Sequence, residues 1–169
     1  MKRIIITAVL ALLLPTTAVG NNDFYEKKIA EVRMMLTDIG VKHADVEITL
    51  RKKRGANASA NSIVKRVRLN TGVFRWAQLI GHPRDAVLAI MLHELGHVRL
   101  NHVRIKTDPK VVLKQERAAD KFAVEKFPAS ACILEMFLKA RILGKISTAD
   151  RKISQERIRI LSSACRKAG

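Results

Sequence analysis

The sequence is poor in aromatic residues and has no apolar run long enough to cross a membrane. Phenylalanine, tryptophan and tyrosine make up 4% of its 169 residues, which leaves no interleaved series of rings on which the bases of a single-stranded nucleic acid could stack. The longest apolar stretch, residues 4–14, is about half of the ~20 residues that a membrane-spanning helix needs. We therefore expect no nucleic-acid partner and no stable membrane span in the mature protein.

Acidic residues are also scarce relative to basic ones. The chain has 15 Asp and Glu against 32 Lys and Arg, a formal net charge of +17. A potential of this sign attracts anionic surfaces, such as acidic lipid head groups or the acidic polymers of a cell envelope. The basic residues are dispersed, with one run of four at residues 51–54, so we interpret the charge as a modifier of function and predict an anionic envelope surface as a partner.

The first twenty residues have the pattern of a secretory signal peptide. Lys2 and Arg3 precede the apolar stretch, and Ala18, Val19 and Gly20 supply the small residues of a cleavage site. An uncleaved anchor is the alternative. The pattern predicts an exported protein, periplasmic or secreted, with a signal peptide at residues 1–20 and a single domain at residues 21–169. The chain has two cysteines, 33 positions apart, which in an exported protein form either a disulfide or two buried thiols.

One stretch of the chain carries the pattern of a metal site. Residues 86–102 read AVLAIMLHELGHVRLNH. On a helix, His93 and His97 lie on one face because they are four residues apart, so both imidazoles can bind one metal ion. Glu94 then sits beside the open coordination position, where a carboxylate can accept a proton from an attacking water. The spacing predicts one Zn²⁺ per chain, and two structural histidines on a helix are the alternative.

A third ligand is available in a second helical pattern. Glu116 follows His97 by 19 positions, in the segment QERAAD, and Asp120 is four residues further on. These two carboxylates share a helix face, so one can bind the metal while the other orients a liganding histidine through its second ring nitrogen. Two solvated acids on a surface helix are the alternative. His102, five positions after His97, is about 140° around a continuing helix, so we expect it to face away from the metal.

The hydrophobic periodicity predicts a mostly helical α+β fold. Two segments alternate as half-buried strands, residues 45–50 and 63–69, and a polar loop at residues 51–61 joins them in what we predict to be an antiparallel pair. Helical patterns, bounded by Gly and Pro signals, occur near residues 22–40, 72–80, 83–102, 109–127 and 129–143, and from residue 148 onward.

Several of these motifs together resemble a known family. The run LNTGVFRWAQLIGHPRDAVLAIMLHELGHVRLNH, followed by ERAADKFA, FPASACILEMFLKA and STADRKISQERIRIL, is similar to the gluzincin zinc metallopeptidase family that contains HtpX, BepA and the CAAX prenyl endopeptidases. Asn57 and Ala58 resemble that family's Asn-Ala loop. The His-Pro pair that many members have before the last helix is missing here. ERAADKFAVEKFP also resembles the ImmA-type phage-repressor proteases, but the predicted export and the C-terminal segments favour the gluzincins.

The resemblance implies a zincin-type metallopeptidase domain with a short antiparallel β pair beside its active-site helix. It assigns His93, His97 and Glu116 as zinc ligands, Glu94 as the general base and Asp120 as the family's aspartate. Arg157 matches the family's arginine, either as an active-site support or in a structural role.

The function implied is that of a zinc-dependent endopeptidase, which would use a zinc-activated water to cleave exported or envelope proteins. In the family the second strand edges the cleft and pairs with an extended polypeptide substrate. The alternative is a catalytically silent or chaperone-like binding module of the cell envelope on the same fold.

Overall fold

The fold is mostly helical α+β, as the periodicity predicts. A computed structural model describes residues 19–103 and 108–168. Within them the elements are α1 (Val19–Asp38), β1 (Glu47–Arg51), β2 (Ala58–Asn61), β3 (Arg66–Asn70), α2 (Thr71–Leu79), α3 (Pro83–Arg99), α4 (Pro109–Lys126), α5 (Ser130–Ile142) and α6 (Thr148–Ala168). The predicted signal peptide lies outside the described residues except for its last two, with which α1 begins. No helix in the described ranges has the length and apolar character needed to cross a bilayer.

The sheet differs from the predicted strand pair. Its strand order is β1-β3-β2, with β1 parallel and β2 antiparallel to β3. The two strands recognised in the sequence, now β1 and β3, are therefore parallel, and the predicted antiparallel pairing between them is wrong. The antiparallel partner of β3 is β2, which lies in the predicted loop. Its sequence, Ala-Ser-Ala-Asn, lacks the β-branched and aromatic residues that mark strands.

Helix α3 is the centre of the core. Pro83 occupies its first turn, where a missing N–H costs no hydrogen bond, and Asp85 complements the positive end of the helix. Its residues 86–93 are all buried, because α1, α2, α4, α5 and two strands pack around it. A helix that is surrounded in this way is apolar on all sides. Glu94 and His97 are only half-buried, because a cleft opens beside this face of the helix.

Helices α4 and α5 pack against α3. Helix α6 packs against α4 and α5, and a disulfide joins Cys132 of α5 to Cys165 of α6. Of the two states that the sequence left open for these cysteines, the structure has the disulfide. It ties down the helix that carries Arg157, whose side chain reaches the carboxylates of α4.

Candidate metal centre

Three donor atoms from α3 and α4 converge at the cleft. His93 Nε2 lies 3.3 Å from His97 Nε2 and 3.4 Å from Glu116 Oε2, and Glu116 Oε1 lies 3.6 Å from His97 Nε2. Ligands about 2.0–2.1 Å from a tetrahedral zinc ion are about 3.4 Å from one another, so the spacing of these atoms fits such an ion. Two imidazoles and one carboxylate are also a donor set of catalytic zinc sites. The sequence-predicted donors are thus brought together.

A close approach of two helices aligns the third donor. A Cβ atom on Gly96, within the H-E-L-G-H motif, would lie 3.0 Å from the Cα and 3.2 Å from the carbonyl oxygen of Ala119. A side chain at this position would require α4 to shift by a few tenths of an ångström, which glycine avoids. Because Ala119 is one turn from Glu116, this contact sets the distance of the carboxylate from the two histidines.

Asp120 binds the outer nitrogen of His93. Its Oδ1 lies 2.9 Å from His93 Nδ1, at hydrogen-bond distance. A neutral imidazole carries one N–H and one lone pair, so an Nδ1–H that donates to Asp120 leaves the lone pair on Nε2. That nitrogen is the one that faces the other donors.

Arg157 connects the acidic residues of the centre from α6. It is 4% exposed, and its Nε and Nη2 donate to the two carboxylate oxygens of Asp120 at 2.8 and 2.7 Å. Its Nη1 donates to Glu116 Oε2. The planar guanidinium is suited to this arrangement, because its five donors have a fixed fork geometry. One buried cation therefore holds a buried carboxylate, Asp120, and a half-buried one, Glu116, in place.

The electrostatics of this cluster give the two histidines different proton affinities. Burial and the Arg157 charge act to lower the pKa of His93, but the Asp120 and Glu116 carboxylates outweigh them and raise it to about 9. Burial and the charge on His93 lower the pKa of His97 to about 4. The imidazole next to the carboxylates keeps the proton, since two imidazolium ions at this distance would repel each other.

The carboxylates and the guanidinium are all held in their charged forms. Burial acts to raise the pKa values of Glu116 and Asp120, but the charge of Arg157 and the contact with His93 hold both below their usual ranges. Burial acts to lower the pKa of Arg157, and the charges of Asp120, Glu116 and Glu94 raise it above its ordinary value.

The donor atoms open onto a cavity of about 540 Å³. Glu94 lines it together with His93, His97 and Glu116, while Asn57 and the first residues of β2 form one wall. The Asn-Ala segment noted in the sequence is thus at the cleft. The strand on this side is β2, at the edge of the sheet, and not the predicted strand at residues 63–69, which became the central strand β3. The opposite walls come from α5 and α6, with Leu134, Phe137, Arg141, Asp150 and Ile153 among their residues.

His102 contradicts the prediction that it faces away from the centre. Helix α3 ends at Arg99, and Asn101 has a φ of 52°, so the chain turns back instead of continuing as a helix. The Nδ1 atoms of His102 and His97 are 3.0 Å apart, and His102 lines the cavity. The three residues whose donor atoms converge are His93, His97 and Glu116. Sequence reasoning missed this contact, although Asn before His102 is the residue type that adopts positive φ most readily after Gly.

A peptidase family model matches the segment that contains the donors. The family is described as Peptidase U49, and its model matches residues 84–133, which include Glu94, Asp120 and all three donor residues. No curated protein and no solved structure matches the chain. This family is not the one that the sequence motifs resemble, but both are peptidase families. The chain is therefore similar to a peptidase family over the segment that carries its candidate metal centre, and this similarity supports a proteolytic role.

Proposed function

We propose that this protein is a zinc-dependent endopeptidase of the gluzincin type. The observation that carries the proposal is the convergence of His93, His97 and Glu116 at zinc spacing, with Glu94 on the wall of the same cavity. His93 Nε2, His97 Nε2 and a carboxylate oxygen of Glu116 would hold the ion. When bound, zinc supplies a Lewis acid that polarises the scissile carbonyl and makes water acidic enough to be deprotonated near pH 7.

Glu94 carries the proton in this reaction. Its carboxylate takes a proton from the water as the water oxygen bonds to the carbonyl carbon, and it gives that proton to the amine nitrogen as the C–N bond breaks. Asp120 keeps His93 in the tautomer whose Nε2 lone pair faces the centre. Arg157 keeps Asp120 and Glu116 ionised, so neither carboxylate takes up the proton that Glu94 transfers.

The substrate is an extended polypeptide that adds to the sheet. Within the residues that the structure describes, strand β2 pairs with β3 on one side only, and its residues 58–60 line the cavity. The other side of β2 offers main-chain donors and acceptors beside the metal centre. Strand addition binds a peptide through its backbone and therefore tolerates varied side chains, which suits an endopeptidase that cleaves several proteins.

An exported or envelope location fits the chemistry of the chain. Disulfides persist in oxidising compartments and are rare in the cytosol, and the structure has one between α5 and α6. The signal-peptide pattern of residues 1–20 points the same way. We propose that the protein cleaves exported or envelope polypeptides, near the anionic surfaces that a net charge of +17 attracts.

The test is metal content together with cleavage of a reduced, unfolded casein substrate. We expect about one zinc per chain and cleavage by the wild-type protein. Glu94→Gln should keep its zinc and lose activity by about 10²-fold or more, as expected when a general base is removed. Glu125→Gln is the matched control, since Glu125 lies on the exposed face of α4. This variant should cleave the substrate like the wild type.

The other outcomes discriminate between the alternatives. Zinc in every variant with no cleavage of any unfolded protein would favour the silent or chaperone-like binding module. Activity retained by Glu94→Gln would remove Glu94 as the base. Zinc absent from the wild-type protein would show that the three donors do not form a metal site.

A further inference from the structure

The ring of His102 is held against the ring of His97. Their Nδ1 atoms are 3.0 Å apart and their ring centroids 5.1 Å. The His102 N–H donates to the His97 carbonyl at 3.0 Å. Its own carbonyl accepts a hydrogen bond of 2.9 Å from the hydroxyl of Ser62, a buried residue in the turn between β2 and β3. Hydrogen bonds thus hold both the N–H and the carbonyl of His102. They place its ring beside that of His97.

The chemistry of imidazole assigns the proton in this contact. His97 Nε2 faces the other donors, so it must offer a lone pair if it is to bind a metal. The proton of the neutral ring then lies on Nδ1, which donates to His102 Nδ1. His102 therefore accepts at Nδ1 and carries its own proton on Nε2. His93 has the corresponding partner in Asp120, at 2.9 Å from its Nδ1.

We propose that His102 is a positioning residue that fixes the tautomer and ring orientation of His97 for zinc binding. The inference rests on the zinc site of the proposed function. Each liganding imidazole then has a partner for its outer nitrogen: a carboxylate for His93 and a neutral imidazole for His97. Loss of such a partner lowers metal affinity by about 10- to 100-fold. We expect about tenfold for His102, because a neutral acceptor raises the basicity of its ligand less than a carboxylate does.

Two substitutions of similar shape separate this role from mere packing. In His102→Asn, Oδ1 is two bonds from Cβ, as Nδ1 is in histidine, so the acceptor facing His97 is retained. In His102→Leu a methyl group takes that place and nothing accepts the proton. We expect zinc affinity of the full chain, measured by chelator competition, to fall about tenfold in His102→Leu and to stay within about threefold of wild type in His102→Asn. His82→Leu, at an exposed histidine before α3, should match the wild type.

The tautomers can also be read directly in the wild-type protein by long-range ¹H–¹⁵N NMR of the zinc-loaded form. We expect a proton on Nδ1 of His97 and on Nε2 of His102. This measurement does not depend on whether a variant folds. Equal affinity losses in the Asn and Leu variants, unchanged affinity in both, or the opposite tautomer of His102 would each overturn the proposal.

Neither readout needs substrate cleavage, so the two hypotheses fail separately. A protein that binds zinc with the expected tautomers but cleaves nothing would refute the peptidase and leave the role of His102 standing. A protein that binds no zinc would overturn the role of His102 along with the metal site.

Discussion

The buried cation Arg157 offers the most direct test of how the metal centre is built. In Arg157→Met a shorter, unbranched and neutral side chain replaces that of arginine, and the guanidinium is lost. The change removes hydrogen bonds of 2.8 and 2.7 Å to the two oxygens of Asp120, and one to Glu116. Arg157 is 4% exposed, so these donors lie in a region that is largely closed to bulk water. Asp120, which is buried, and Glu116, which is half-buried, would keep only the protonated His93 as a cationic neighbour.

The expected loss in the free energy of unfolding follows from the cost of breaking a buried ion pair. Removing one partner of a buried pair destabilises a protein by about 3–5 kcal/mol. Here the protonated His93 compensates one of the two carboxylates, and the loss of Arg157 leaves the other negative charge uncompensated. For a domain of this size each kcal/mol lowers the melting temperature by about 2–4 °C, so we expect a decrease of roughly 6–20 °C. The assay is thermal and urea unfolding of the metal-free protein in the presence of a chelator, which keeps zinc from supplying the missing positive charge.

Arg159→Met is the matched control. Arg159 lies two residues further along α6, pairs with Glu156 and has a side chain that is 73% exposed. Exposed ion pairs contribute about 0–1 kcal/mol, so this variant should unfold near the wild type. Arg157→Lys should fall between the two, since an ammonium keeps the charge but cannot hold both oxygens of Asp120. If Arg157→Met were as stable as the control, the reasoning about a charge-compensated cluster would be refuted.

Three further predictions concern other parts of the same region. Cys132→Ser should lower the free energy of unfolding by about 2–4 kcal/mol in urea titrations, as loss of a native disulfide does. The wild-type protein with its disulfide reduced should show the same decrease. Gly96→Ala gains about 1 kcal/mol of helix propensity but forces α4 outward, so chelator competition should show zinc affinity about tenfold weaker. An unchanged affinity would contradict the close-packing argument. With pKa values of about 9 for His93 and about 4 for His97, one imidazole is protonated near pH 7, and both must be neutral to bind metal. Calorimetry in buffers of different ionisation enthalpy should therefore detect one proton released per zinc, with affinity rising as pH rises; release of two would count against the assigned pKa values.

Local signals in the sequence were sufficient to predict the two helices of the centre. Pro83 and Asp85 begin α3, and Pro109 begins α4 after Asp108, whose side chain accepts a hydrogen bond from the Lys110 N–H. Within a helix, spacing of four residues decides which side chains share a face. The histidines and the carboxylates could therefore be assigned to one face each from sequence. That these two faces meet depended on the small residues at the contact between α3 and α4.

The sheet could not be predicted because its edge strand has no local signal. Strand β2 is held by hydrogen bonds to β3, and such bonds need only backbone groups. Its alanines, serine and asparagine are typical of a loop. Once this short strand forms a tight hairpin with β3, the remaining edge of β3 is the one available to β1. Strand β2 is antiparallel to β3, and β1 runs in the direction opposite to β2. Strand β1 is therefore parallel to β3.

The orientation of His102 depends on where one helix ends, and a helical projection contains no information on that point. The angle of about 140° between His97 and His102 holds only while every intervening residue has helical φ and ψ. Asn101 leaves that region with a φ of 52°, which reverses the chain and returns His102 to the carbonyl and the ring of His97. Had the helix continued by one more turn, the same residue would have been carried to the far side of α3, and His97 would have needed another acceptor. The positive φ of Asn101 and the partner of His97 are therefore one structural feature. An asparagine just after the helix that carries the two histidines is the sequence signal by which this feature could be recognised.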